Sequence, residues 1–477
     1  MNWQTIVFDG FTYIMVLYAF SLISFYVCVG IFSVGETRNY IRKNSFTDYR
    51  MLASATDAPS ITVLAPAHNE GLTIIENVRS LLSLNYINIE VIVINDGSTD
   101  DSLEKLIKAY DLYKTDYFIN EQIPTQAVLG VYKSRNLVYR KLIVVDKVKG
   151  GKADALNVGI NISHHDYLVT IDVDCVLEQD AILKLAKPFL EQADKRVIAA
   201  GGVLRIANSC EVEGGRLVKI YLPEQFLPRI QTLEYIRAFL LSRMAWTRLN
   251  GLLLISGAFG SFDKEIVIKC GGYNNKTVGE DMELLVRMRR YMEEQKEPYK
   301  VSFIPDPLCW TEAPATYKTL GIQRNRWTRG TIETLQNHKK MFFNPKYHIL
   351  GLVSYPYWAF FEFGGPIIET LGYFMFIVFC VVGMVNWSVF FIMMSIFSIG
   401  VLYSLFAILM EILTYNQYKQ KRDLLRLALV AIAEPFVFHP FVVFSAIKGN
   451  FDFLRKRHNW GNMTRQGFTH RRLKTKS

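Results

Sequence analysis

The chain opens on an apolar run. Residues 10–32, GFTYIMVLYAFSLISFYVCVGIF, carry no charge, and at about 1.5 Å of rise per residue they are long enough to cross a bilayer core. No Lys or Arg precedes the run, whereas a cleavable leader would begin with a basic segment. Arg38, Arg42 and Lys43 follow it, so the positive-inside bias predicts an uncleaved anchor with the chain entering the cytoplasm afterwards.

From residue 58 to 345 the pattern changes to short apolar runs alternating with helix-period stretches. ITVLAPAHNE, IEVIVINDGS and DYLVTIDVD read as strands, with helices near 71–84, 102–110 and 154–162. Continuous Val/Ile strands alternating with helices predict an α/β domain whose parallel sheet is covered on both faces. Ligands of such sheets bind at the carboxyl ends of the strands.

Two later stretches, 229–248 and 318–338, are basic and amphipathic. Ile230, Leu233, Ile236, Leu240 and Met244 form one stripe of the first. Such helices suit a membrane surface, and equally suit a helix packed on the sheet with a solvated basic face. The region 348–447 is apolar again. It offers spans at 365–385 and 387–410, a short piece at 348–363 ending at Gly364-Gly365-Pro366, and a segment at 424–447 interrupted by Glu434-Pro435 and His439-Pro440. Those interruptions predict a re-entrant or interfacial element. A basic tail, 448–477, closes the chain.

Composition narrows the classes. Of 477 residues, 50% are hydrophobic and only 21% charged, which excludes a disordered chain. The six cysteines show no CxxC spacing, which argues against a structural zinc site or a disulfide scaffold. The net charge of +10 fits lipid head groups or nucleotides. No nucleic-acid recognition motif accompanies it, so nucleic acid is not an expected partner.

Candidate chemistry lies at the strand ends. Ala67-His68-Asn69-Glu70 closes one strand and Asp96-Gly97-Ser98-Thr99-Asp100 another. An Asp leaving a buried strand into a glycine turn can accept hydrogen bonds from a ribose or base edge, and is also ordinary turn chemistry. In Asp172-Val173-Asp174, two carboxylates two apart share one face and repel unless a cation lies between them. Mg²⁺ or Mn²⁺ carrying a nucleotide diphosphate is a natural partner; a solvated strand end is the plain alternative. The loop Lys149-Gly150-Gly151-Lys152 enters a helix and suits phosphate. Gly279-Glu280-Asp281 offers a general base, or merely an acidic helix start favoured by the dipole. In Gln323-Arg324-Asn325-Arg326-Trp327, Arg suits a diphosphate and Trp a sugar face.

In order, spacing and membrane context these motifs resemble the family 2 glycosyltransferases, in particular the membrane-embedded synthases of cellulose, chitin, hyaluronan and poly-N-acetylglucosamine. The resemblance spans about 58–345, and the ending Trp460–Phe468 resembles a bacterial subgroup. It implies a GT-A fold, a divalent cation, a nucleotide-sugar donor (a UDP-sugar), a polysaccharide or lipid-linked acceptor, a bilayer and accessory export subunits. It also implies a multi-pass protein of a bacterial inner membrane with a cytoplasmic catalytic domain. By the same resemblance Ala67, Asn69, Glu70 and Asp96 would hold the uridine, Lys152 would lie near the phosphates and Asp172 would contact the nucleotide sugar. Asp174 would coordinate the metal, Asp281 would be the base with Glu280 beside it, and Arg326 would border the diphosphate. Gln323 and Trp327, with Phe259 and Gly260 of the loop 256–261, would meet the acceptor. The implied reaction is an inverting, metal-assisted transfer to a growing polysaccharide. Its rivals are single-sugar transfer to a lipid and a silent nucleotide-sugar-binding subunit. Gly279 stands where many such synthases carry Thr, and the segments 111–148 and 208–227 are long for the family.

Overall fold

The computed structural model describes residues 3–49, 51, 55, 58–192, 194–383 and 387–456. The ending Trp460–Phe468, like all of 457–477, lies outside them.

Among the described residues the chain forms twelve strands: β1 Ile61–Ala67, β2 Ile89–Asp96, β3 Leu112–Thr115, β4 Val128–Ser134, β5 Leu142–Lys147, β6 Tyr167–Ile171, β7 Val176–Leu177, β8 Arg196–Ile206, β9 Glu211–Glu213, β10 Arg216–Lys219, β11 Phe259–Asp263 and β12 Tyr299–Thr311. Ten of them make one sheet in the order β3-β4-β5-β2-β1-β6-β11-β8-β12-β7. The centre is parallel, with β5, β2, β1 and β6 in register. In β2 every residue but Glu90 is buried, as two covered faces require. The sheet is mixed, however, where a parallel one was expected. β3 and β4 pair antiparallel at one edge, and β11 runs antiparallel between β6 and β8. Antiparallel neighbours need no helical crossover, so the long segment 111–148 turns back as a hairpin instead of adding a further strand–helix unit.

Among the described residues three helices are long and apolar enough to cross a membrane, Val7–Asn44, Leu350–Val381 and Trp387–Thr414. A fourth crossing is possible if Lys421–Val437 and His439–Leu454, which meet at a 46° bend, act as one span. The expected break at Gly364-Gly365-Pro366 is absent: the helix runs on from Leu350 to Val381. Its turn at Trp358–Phe363 is π-helical, and this widened turn accommodates Pro366, which lacks an N–H and would clash with the carbonyl four residues earlier.

The helix over residues 226–248 answers the question its stripe posed, because it packs on both partners. Ile230, Leu233, Ile236 and Leu240 join Val29, Ala407, Leu427 and Ala431 of the apolar helices in one buried cluster. Phe239 and Met244 join the sheet's core. Polar ties reinforce this junction: Arg205 of β8 pairs with Glu411 at 2.5 Å, and the Tyr40 hydroxyl donates to Asp306 at 2.5 Å. A buried ion pair adds little net stability but penalises any other docking of the helices.

Candidate functional site

Strand register brings the acidic strand ends together. Ala67 lies beside Asn95, and Asp96 beside Lys147 on β5. Asp172 and Asp174 follow the end of β6. Gly151, with φ +89°, turns the chain into the helix Lys152–Ile162, so two glycine amides and a helix N-terminus face the same strand ends.

Asp96 is committed to that loop. Its Oδ1 accepts from Lys147 Nζ at 2.6 Å and from the Gly150 amide at 2.8 Å, and its Oδ2 accepts from the Gly151 amide at 2.8 Å. Lys147 is fully buried and also pairs with Asp154 at 2.8 Å. Asp96 therefore shapes the glycine loop, whatever else it touches. Asn69, in a left-handed conformation with φ +58°, accepts from the Thr99 amide at 2.8 Å, and the Glu70 amide donates to Ser102 at 3.0 Å. These contacts brace the two loops against each other. His68 lies between them, with Nδ1 2.9 Å from the Asp96 carbonyl and Nε2 3.1 Å from Lys149 Nζ.

One cavity of about 940 Å³ unites most of the remaining predicted residues. Lys152, Asp172, Asp174, Glu280, Asp281, Gln323, Arg326 and Trp327 line it. Tyr26, Glu369, Tyr403 and His439 of the apolar helices line it as well. Ala67, Asn69, Glu70 and Asp96 are not among its walls. Phe259 and Gly260 do not fit an acceptor contact: both are buried in β11, and the Phe259 ring lies so close to Gly202 that a Cβ there would meet it at 2.6 Å. The loop enters its strand at Phe259, so the preceding Ser256, Gly257 and Ala258 line the cavity instead.

Charges within the cavity are closely matched. Lys152 forms an ion pair with Asp172, donates to the Gly257 carbonyl at 3.1 Å and lies 3.9 Å from Glu280. Burial pulls its ammonium down, yet Asp172 and Glu280 carry it above the ordinary lysine value. Asp281 accepts from the Gly257 amide and from the Met282 amide, each at 2.8 Å, which fixes its carboxylate at the start of the helix Glu280–Gln295.

Burial pushes the Glu280 carboxyl up to about 7; Lys152 and Arg326 oppose this shift and Asp281 adds to it. An acid whose value rises on folding gives stability at low pH that is lost as pH climbs through the folded value. Between the ordinary 4.5 and about 7 the folded protein should therefore lose stability, by on the order of 3 kcal/mol in all. Melting curves from pH 4.5 to 8 should show that fall in the unsubstituted protein and a flatter profile in Glu280→Gln.

Gly279 has its own geometric reason. A Cβ there would come within 2.7 Å of the Gly330 Cα, so the acidic loop and the helix Tyr317–Asn337 meet backbone to backbone. The Thr277 hydroxyl and the Val278 amide both donate to Glu333 of that helix, at 2.7 and 2.8 Å. This contact holds Asp281 and the Gln323–Trp327 motif at a fixed separation.

No cluster of three or more His, Cys, Asp or Glu side chains suited to a metal occurs among the described residues. Mg²⁺ needs no such cage, because one or two carboxylates completed by substrate phosphates suffice. The oxygen donors of Asp172 and Asp174, beside a glycine loop suited to phosphate, fit that requirement.

Sequence reasoning missed Lys147, Glu234 and Glu333. Each acts through a partner distant in the sequence, and none sits in a motif that marks it.

Residues 62–209 match the family described as Glycosyl transferase family 2, and residues 167–416 match Glycosyl transferase family group 2. Poly-beta-1,6-N-acetyl-D-glucosamine synthase of Staphylococcus aureus is 28% identical over 275 residues, covering 58% of this chain and 55% of that protein. Its Staphylococcus epidermidis counterpart is 27% identical over the same length and coverage. The chain thus spans about half the length of the curated relatives it matches. A mannosyltransferase from Pyrobaculum calidifontis, solved with GDP-Man and Mn²⁺, aligns at a TM-score of 0.49 and 14% identity, over 91% of this chain and 99% of that one.

Proposed function

This chain belongs to glycosyl transferase family group 2 and is a glycosyltransferase, and from that premise we propose that it transfers a sugar from a UDP-sugar to a growing polysaccharide at a membrane. The reading rests on one observation, the cavity whose walls run from Lys152 and Asp174, past Asp281 and Trp327, to Tyr26, Glu369 and Tyr403 of the apolar helices. At about 940 Å³ it lies at the upper end of the range for small-ligand sites and suits a donor together with an acceptor chain. The expected synthase of the bacterial relatives' type fits this arrangement, with the catalytic domain on the cytoplasmic side.

In this mechanism the acceptor hydroxyl attacks the anomeric carbon in line and inverts it, while Asp281 takes the hydroxyl proton. Lys152 and the guanidinium of Arg326 stabilise the charge developing on the departing diphosphate, and the Trp327 face supports the acceptor sugar. A divalent cation, when bound by Asp174 and Asp172, supplies further neutralisation of that diphosphate.

The test is a donor panel. The full chain in nanodiscs would receive UDP-, GDP- and dTDP-sugars with Mg²⁺ or Mn²⁺, with nucleotide release and product mass followed. A ladder of products from one UDP-sugar, abolished by chelation, is the expected outcome. One added sugar on a lipid would replace polymer synthesis by single transfer, and nucleotide binding without release would make the chain a silent subunit.

A further inference from the structure

We propose that Arg324 is a positioning residue for the Trp327 indole, and that Glu234 holds it in that role. The inference rests on the reading of Trp327 as an acceptor contact and adds how that contact is set. On the helix Tyr317–Asn337, Arg324 precedes Trp327 by three residues, a spacing that places both side chains on one face. The Arg324 guanidinium carbon lies 4.3 Å from the Trp327 ring centroid, and 5.9 Å from that of Phe438. Its two terminal nitrogens donate to the two Glu234 oxygens, both at 2.6 Å.

This fork fixes the guanidinium plane, and the plane in turn sets the ring that faces the cavity. Trp327 is 40% exposed, while Arg324 is 6% exposed. A half-exposed indole with no such support would sample several rotamers, so a fixed cationic face beneath it selects one. Lysine cannot replace arginine here, because it offers neither the fork nor the flat face. Glu234 belongs to the helix Phe226–Ile236, whose apolar stripe packs on the apolar helices, so the orientation of Trp327 is tied to the membrane junction.

The test uses the full chain labelled with 5-fluorotryptophan, with the Trp327 resonance identified by its loss in Trp327→Phe. In Arg324→Lys that resonance should move and broaden while the other tryptophan resonances hold. Glu234→Gln, a milder change, should move it in the same direction. Turnover at saturating donor should fall roughly five- to thirtyfold in Arg324→Lys, the range of a partly buried cation–π contact. UDP affinity should stay within about twofold, and adding Arg324→Lys to Trp327→Phe should cost little more. An unmoved resonance in both variants, or an undiminished Arg324→Lys loss in the Trp327→Phe background, would overturn the proposal and leave the ion pair as a brace between helices. Because the resonance needs no turnover, a chain that transfers no sugar would defeat the functional reading and still report on this contact.

Discussion

Asp281→Asn should bind donor nucleotide as the unsubstituted protein does and turn it over roughly 10²- to 10⁴-fold more slowly, the usual contribution of a positioned general base. The substitution keeps the shape of the side chain, and its single amide oxygen can still accept from one of the Gly257 and Met282 amides, which meet different oxygens of the carboxylate. What disappears is the group that takes the acceptor proton. Calorimetric titration with UDP and nucleotide release at saturating donor separate the two effects. Glu280 provides the control, because it is adjacent, buried and 3.9 Å from Lys152. Burial raises its carboxyl to about 7, and it is the ionised form, populated from about neutral pH upward, that balances the charge of Lys152. Glu280→Gln should therefore weaken donor binding more than turnover. Near-normal turnover in Asp281→Asn with a collapse in Glu280→Gln would exchange the two assignments.

The parts legible in the sequence were those whose physics is local. A run such as IEVIVIND can be buried on both faces only as an interior strand, so its acidic end falls at the carboxyl edge of the sheet. The same reasoning placed Asp172 and Asp174, and the alternation of strands and helices gave the α/β class now seen. Contacts between distant segments were not legible. Phe259 lies in the strand while Ala258 lies in the loop, a difference of one residue that no periodicity signals. The backbone contact of Gly279 with Gly330 joins positions 51 residues apart and leaves no trace beyond two glycines. Pro366 reads as a helix breaker unless the preceding turn widens, and a π turn has no reliable sequence mark. Asp96 has the residue type and place of a ligand contact, yet its carboxylate turns toward Lys147 and the glycine loop.

That last arrangement carries the largest expected effect on stability. Lys147 has no exposed surface and lies between two carboxylates, 2.6 Å from Asp96 and 2.8 Å from Asp154. Asp96 holds the amides of the glycine loop, and Asp154, in the first turn of the next helix, also accepts from the Gln126 amide at 3.1 Å. One ammonium thus ties β2, the loop, the helix N-terminus and the inserted segment 111–148 together. Lys147→Met would fill the same volume and leave two buried carboxylates facing each other with no cation between them. Removing one partner of a buried pair costs about 3–5 kcal/mol, and here both charges left behind are acidic. Thermal unfolding in detergent should show that loss, and UDP binding should weaken because the loop amides are no longer held in place. Lys149→Met, at an exposed lysine two residues on, should change stability by no more than about 0.5 kcal/mol. If Lys147→Met unfolds no earlier than Lys149→Met, the ammonium is not the tie between the strand ends, and the loop must be held by its amides to Asp96 alone.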